Sequence, residues 1–163
     1  MPLYTQEERI RRDASPWTVV QGVLAPIQFL VFLVSLFLVI RYLMTGNGLA
    51  EATASIVVKT LVLYTIMITG CIWEKHVFGR YLFAPAFFWE DLASMLVLAL
   101  HTAYVVMLFC GVARARVQLY VALAGYAAYA LNATQFLLKL RAARLEDVRA
   151  APARTRLIAG AAS

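Results

Sequence analysis

The chain has 163 residues, 63% of them hydrophobic and 15% charged, with a mean hydropathy of +0.75. Soluble domains carry roughly 45–50% apolar and about 25% charged residues, so this composition excludes an ordinary soluble domain and points to the membrane class. The net charge of +6 sits mainly in the flanks and tails, with no nucleic-acid fold signature, so the expected partner is a lipid bilayer and not nucleic acid.

Residues 1–18 are polar, with Arg9, Arg11 and Arg12 interleaved with Glu7, Glu8 and Asp13. Ser15-Pro16 has the form of a helix start, Ser as N-cap and Pro as first helical residue. The first apolar span covers about 19–42, with Pro26 inside it and Gln21 and Gln28 on one face. It is too long for a signal-peptide core of about 7–15 residues and reads as an uncleaved anchor. The turn Thr45-Gly46-Asn47-Gly48 leads to a second span, 54–73, which contains Lys59. Lys59 is expected to snorkel to the nearer interface. The 74–85 loop follows, then a third span, 86–112, which carries Glu90, Asp91 and His101. A short basic loop with Arg114 and Arg116 precedes the fourth span, 117–138. There Asn132, Gln135 and Lys139 share a face, expected to bond across helices, with Lys139 able to reach a carboxylate or a phosphate. Residues 1–145 form one domain, and 146–163 is a basic tail predicted to be disordered.

Each span has about 20 residues, enough to cross a hydrocarbon core of roughly 30 Å, and in lipid such segments must be helices. The fold class is therefore all-α, an integral membrane bundle of four transmembrane helices. Four spans put both termini on one side, together with most of the Lys and Arg residues. The positive-inside rule makes that side, with the 74–85 loop, cytoplasmic. Cys71 and Cys110 fall near opposite faces and are not expected to pair.

The chemistry concentrates in Trp73-Glu74-Lys75-His76 and Phe87-Phe88-Trp89-Glu90-Asp91. Ionisable groups beside or within a membrane span are costly and commonly mark a working site. Glu74 ends one helix and Glu90 begins the next, so an antiparallel pair brings the two carboxyls to one height. Two carboxyls facing one pocket can divide acid and base roles between them. Glu90 and His101 differ by about 20° around the helix and by about 16 Å along it, so His101 lies deep below Glu90. Trp73, Tyr81, Phe88 and Trp89 belong to a dense aromatic boundary, which suits a flat apolar ligand as well as an interfacial belt. Polar residues gather at this one face, which argues against a transporter or channel. The two histidines at different depths argue against a bis-His haem. One buried His could still ligate the magnesium of a chlorophyll-type macrocycle.

Several runs resemble the 2-vinyl bacteriochlorophyllide hydratase family. They are Asp13-Ala14-Ser15-Pro16-Trp17 and Gln21-Gly22-Val23-Leu24-Ala25-Pro26 at the start, and Val77-Phe78-Gly79-Arg80-Tyr81-Leu82-Phe83-Ala84-Pro85-Ala86-Phe87-Phe88-Trp89-Glu90-Asp91 with His101-Thr102-Ala103-Tyr104 at the centre. Asn132, Gln135-Phe136-Leu137-Leu138-Lys139 and Arg141-Ala142-Ala143-Arg144 resemble its end, so the likeness covers roughly 3–145. It implies a hydro-lyase of bacteriochlorophyll synthesis. Such an enzyme adds water to the 3-vinyl group of a chlorophyllide-type Mg-tetrapyrrole and needs no redox cofactor. It implies a bacterial cytoplasmic or intracytoplasmic photosynthetic membrane, with a homo-oligomer or contact with other pigment-synthesis enzymes. On this reading Glu74, Glu90 and Asp91 are the acid–base groups. Trp73, Tyr81, Phe88 and Trp89 hold the ring, and Arg80 meets a propionate. Asn132 and Gln135 contact the substrate, and His101 ligates its magnesium or orients water. No protein-bound metal is expected. The rival reading is a pigment carrier or assembly factor that holds the macrocycle without altering it.

Overall fold

The structure, a computed structural model, describes residues 3–161. Among the described residues it is all-helical, with α1 (Gln6–Ala14), α2 (Pro16–Thr45), α3 (Leu49–Phe78), α4 (Phe88–Phe109) and α5 (Ala115–Ala161). Four stretches are long and apolar enough to cross a membrane: α2, α3, α4 and the Ala115–Ala142 part of α5. The first two, and the start of the last, extend beyond the apolar runs that define them in sequence. Helical hydrogen bonding continues into polar residues where water or head groups can meet the side chains. α4 is shorter than its predicted span because residues 86 and 87 still belong to the preceding loop and residues 110–112 to the turn that follows.

The polar start of the chain holds a helix that its charge pattern conceals. Thr5 and Glu8 form a capping box: Glu8 N donates to Thr5 Oγ1 at 3.2 Å, and Thr5 N donates to Glu8 Oε2 at 2.7 Å. α1 then docks on α3, where Arg11 Nε donates to the carbonyl of Val77 at 2.9 Å. Tyr4 stacks on Phe78 with ring centroids 5.8 Å apart. Burial pushes the Tyr4 phenol above its ordinary value, against the pull of the Arg12 guanidinium over its ring. At the far end of the chain, helical backbone continues through Ala161, across most of the 146–163 stretch for which the sequence predicts disorder. Its Ala-rich composition favours helix. Residues 162 and 163 lie outside the described residues.

α2 pairs with α3 and α4 with α5, forming two antiparallel hairpins. These meet through α3 against α4 and α2 against α5. α2 and α3 end on Gly46 (φ 73°) and Gly79 (φ 78°), whose left-handed conformation caps the last turn. The outer surface is apolar: Phe37, Leu61, Ile68, Leu96, Phe109 and Leu131 are all exposed, as residues facing lipid must be.

The interior is less apolar than the surface suggests. Gln28, Ser35, Lys59, Thr60, Ser94, His101 and Asn132 are all buried, among Val39, Ile56, Val97, Leu119 and Tyr126. Ser35 bonds both Ser55 and Tyr126, and Asn132 Nδ2 donates to Ser94 Oγ at 2.8 Å. Polar groups therefore run the length of the bundle, where the sequence suggests that they gather at one face. Lys59 also departs from expectation. It is 0% exposed, with Nζ 4.2 Å from the Tyr129 ring centroid and with Tyr126 and Phe32 at 5.3 and 5.8 Å. Ring faces from two neighbouring helices draw the ammonium inward in place of the interface.

Gly125 makes room for His101. A Cβ at position 125 would lie 2.9 Å from His101 Cε1 and 3.0 Å from Nδ1. Gly125→Ala should therefore destabilise the bundle by about 1–3 kcal/mol, the usual range for overpacking. Gly22→Ala, which meets open space, should be near neutral. Thermal melting of the two variants in lipid checks this; equal melting temperatures would show that His101 can move aside freely.

Candidate active site

The 79–87 loop joins α3 to α4 and is held from beneath by two carboxyls. Glu74 lies one turn before the end of α3 and is buried; its Oε1 accepts from the backbone amide of Ala84 at 2.6 Å. Asp91, in the first turn of α4, is also buried, and its Oδ2 accepts from the amide of Phe83 at 2.7 Å. Phe83 has φ 59°, a left-handed conformation that non-glycine residues seldom adopt. Capture of its own amide and the next one holds it there. The Glu74 and Asp91 side chains hold consecutive amides of the same loop and so lie close enough to influence one another.

Glu90 faces a different neighbour. Its Oε2 is ion-paired with Lys139 Nζ of α5 at 2.6 Å. Lys139 also donates to the carbonyl of Ala86 and lies over the Phe87 ring at 4.8 Å. Adjacent residues on a helix diverge by about 100°, so Asp91 turns to α3 while Glu90 turns to α5. The sequence brings Glu74 and Glu90 to one height; the structure pairs Glu74 with Asp91 and Glu90 with Lys139. Neither Lys75 nor Arg80 forms the surface pair with Glu74 that its charge suggests: Lys75 Nζ donates to the Gly79 carbonyl at 2.9 Å.

The aromatic residues divide into two groups. Trp73 packs edge-on against Phe78 and Phe87, and its Nε1 donates to Thr18 Oγ1 at 2.9 Å. It is part of the inner packing, with Tyr4 and Phe136. Phe88 and Trp89 point outward, Trp89 at 69% exposure, and Tyr81 and Arg80 are exposed on the loop. A shallow, open groove of about 570 Å³ lies on the outer side of α4, lined by Trp89, Leu92, Ala93, Met95, Leu96 and Gln135. Lys139 follows Gln135 by one helical turn and Glu90 follows Trp89 directly, so the ion pair lies at the same end as the groove.

His101 and Asn132 are enclosed within the bundle and do not line this groove. His101 Nδ1 donates to the Val97 carbonyl at 2.8 Å, which leaves Nε2 without a protein partner. Sequence reasoning also overlooks the amides of Phe83 and Ala84, because a backbone donor has no side-chain signature. Leu92, Ala93, Met95 and Leu96 escape it too, since every lipid-facing helix carries such a stripe.

Fold and site together define an integral membrane protein that sets carboxyl chemistry at one end of a helical bundle, beside a groove suited to an apolar molecule. The family model described as 2-vinyl bacteriochlorophyllide hydratase matches residues 4–142. A protein of that name from Rhodobacter capsulatus is 65% identical over 144 residues, covering 88% of this chain and 84% of the relative. Another from Cereibacter sphaeroides is 65% identical over 144 residues, covering 88% and 89%. The chain belongs to the 2-vinyl bacteriochlorophyllide hydratase family, as its motifs imply. No solved structure matches it.

Glu74→Ala removes the acceptor of the Ala84 amide and the partner of Asp91. The loss should be about 1–3 kcal/mol, felt mainly by the loop. Trypsin should then cut after exposed Arg80 faster than in the parent protein. Equal cutting rates would show that other contacts hold the loop.

Proposed function

We propose that this chain is a hydro-lyase of bacteriochlorophyll synthesis that adds water to the 3-vinyl group of a chlorophyllide-type Mg-tetrapyrrole, giving a 3-(1-hydroxyethyl) group. The observation that carries this reading is the 65% identity, over 88% of the chain, to relatives named as such hydratases. The site chemistry supports it. A proton added to the terminal CH2 leaves a cation on the adjacent carbon, which the conjugated ring delocalises. Water attacks that carbon and gives up a proton, so no oxidant or reductant is consumed; the proton taken up by the base is passed back, through solvent, to the acid before the next turnover.

Glu74 and Asp91, two buried carboxyls on one loop, are the proton source: one of them carries the proton that is delivered to the CH2. Glu90, the carboxylate of the Lys139 ion pair, accepts the proton from the attacking water. Lys139 fixes Glu90 in place through its second bond, to the Ala86 carbonyl. In the groove, Trp89 offers a face for the macrocycle and Gln135 a hydrogen-bonding amide. Phe88 and Tyr81 extend that surface at the rim, where Arg80 meets the substrate's propionate. Trp73 supports the site from the inner packing. His101 and Asn132 face the interior and contact neither ring nor magnesium in this arrangement.

The bundle end with the carboxyls also bears Arg11, Arg12, Lys75, Arg80 and Lys139. The positive-inside rule supports a cytoplasmic position for this end and both termini. The membrane is then the bacterial cytoplasmic or intracytoplasmic photosynthetic membrane, and a substrate made inside the cell reaches the site directly.

Membranes containing the protein, given 3-vinyl chlorophyllide in heavy-oxygen water, should yield pigment heavier by one labelled water. Glu90→Gln should retain pigment but lower hydration by about 10²–10⁴, the usual contribution of a positioned acid or base. Bound but unchanged pigment with the parent protein would favour a carrier; full activity of Glu90→Gln would remove Glu90 from the mechanism.

A further inference from the structure

Four side chains, one from each spanning helix, place polar atoms in the middle of the bundle with no protein partner. They are Gln28 (both amide atoms), Lys59 Nζ, His101 Nε2 and Asn132 Oδ1. All four residues are more than nine-tenths buried, Lys59 and His101 completely. They belong to one neighbourhood. Lys59 and His101 both lie against Tyr126, at 5.3 and 5.7 Å from its ring centroid. Gln28 is one turn from Phe32, and Asn132 is one turn from Tyr129. Those two rings are 4.9 Å apart and both flank Lys59.

The atoms dictate what can sit among them. Lys59 Nζ offers hydrogens to donate. His101 Nε2 offers only a lone pair, because Nδ1 holds the ring's hydrogen for Val97. Asn132 Oδ1 accepts, its amide nitrogen being committed to Ser94. Guests must therefore accept from Lys59 and donate to His101 and, about 10 Å further along the bundle at the level of Ser94, to Asn132. An anion cannot donate. A metal cation finds too few ligands here, since no group of three or more metal-ligating side chains occurs among the described residues. Water does both, and polar groups left unpaired in a bilayer interior are costly enough to retain it.

We infer that the centre of the bundle binds a small cluster of water molecules, held by Gln28, Lys59, His101 and Asn132, that supplies water toward the carboxylate end. The direction follows from the Asn132–Ser94 hydrogen bond, since Ser94 lies one turn below Glu90 on α4. A flat pigment seated in the membrane-facing groove covers the site from the lipid side, and an interior store then reaches it from behind. The supply role rests on the hydratase reading; the water site does not.

The test uses the full-length protein in bilayers, with ¹⁵N-labelled histidine and no substrate. The chain has two histidines, exposed His76 and enclosed His101, so the signals separate cleanly. Magnetisation transfer from water should reach His101 Nε2 about as fast as it reaches His76, despite complete burial. No transfer to His101 over mixing times at which His76 is fully reached would overturn the water site. Lys59→Met, an apolar side chain of similar length, should abolish the fast transfer at His101. If it leaves that transfer intact, Lys59 does not hold the water. In the hydration assay the same variant should lower kcat with KM unchanged. An unchanged kcat alongside loss of the water signal would leave the site standing and overturn its supply role. If the parent protein shows the water signal but no hydration of 3-vinyl chlorophyllide, the hydratase reading fails and the water site survives.

Discussion

The 79–87 connection depends on a carboxyl pair that satisfies two consecutive backbone amides. At the edge of a bilayer a loop has few ways to do this, because each unpaired amide is costly away from water. Glu74 and Asp91 take the amides of Ala84 and Phe83, so the end of α3 and the start of α4 are tied through the loop and not merely joined by it. The other arrangements at this end build on that tie. Phe87 is turned inward against Trp73 and Phe136, Lys139 finds the Ala86 carbonyl, and Trp89 is left facing outward. A group that carries structure in this way can also carry chemistry, since rigid support is what a proton donor needs.

Much of this could be read from the chain itself. Four apolar runs of spanning length allow little besides four helices, because lipid leaves the backbone no alternative. The gathering of Glu74, Glu90 and Asp91 at one end of the bundle was legible for a related reason: carboxyls beside a hydrocarbon layer demand an explanation. Their partners were not legible. Helix periodicity brings Glu90 and Asp91 to the same height as Glu74, but which of them turns to α3 depends on the rotation of α4, which packing sets. Lys59 misleads similarly. Its place near a span end suggests escape to the interface, and only the meeting of Phe32, Tyr126 and Tyr129 supplies a reason to stay inside. The first helix was legible in principle, through Thr5 and Glu8 at capping-box spacing, but hidden by the alternating charges that follow.

Hydrophobicity does not sort this molecule into a greasy inside and a polar outside. Its outer faces need apolar side chains, and its core is where polar ones find company. Ser35 with Ser55 and Tyr126, and Asn132 with Ser94, link helices that apolar contact alone would hold without much preference for register, since lipid tails compete on equal terms. Gly125 belongs to the same logic: it lets α5 approach α4 closely enough to enclose His101.

The groove beside Trp89 opens sideways into the hydrocarbon layer, not upward into water. A molecule arriving there travels in two dimensions, already oriented by the bilayer with its polar edge toward the head groups. Encounter is then set by how densely the pigment populates the membrane and by lateral diffusion, while its aqueous concentration hardly matters. Departure follows the same geography. If the pigment occupies this surface as proposed, a product bearing a new hydroxyl would sit less comfortably against Leu92 and Leu96 than the vinyl compound, and the reaction itself would nudge the pigment out toward the interface.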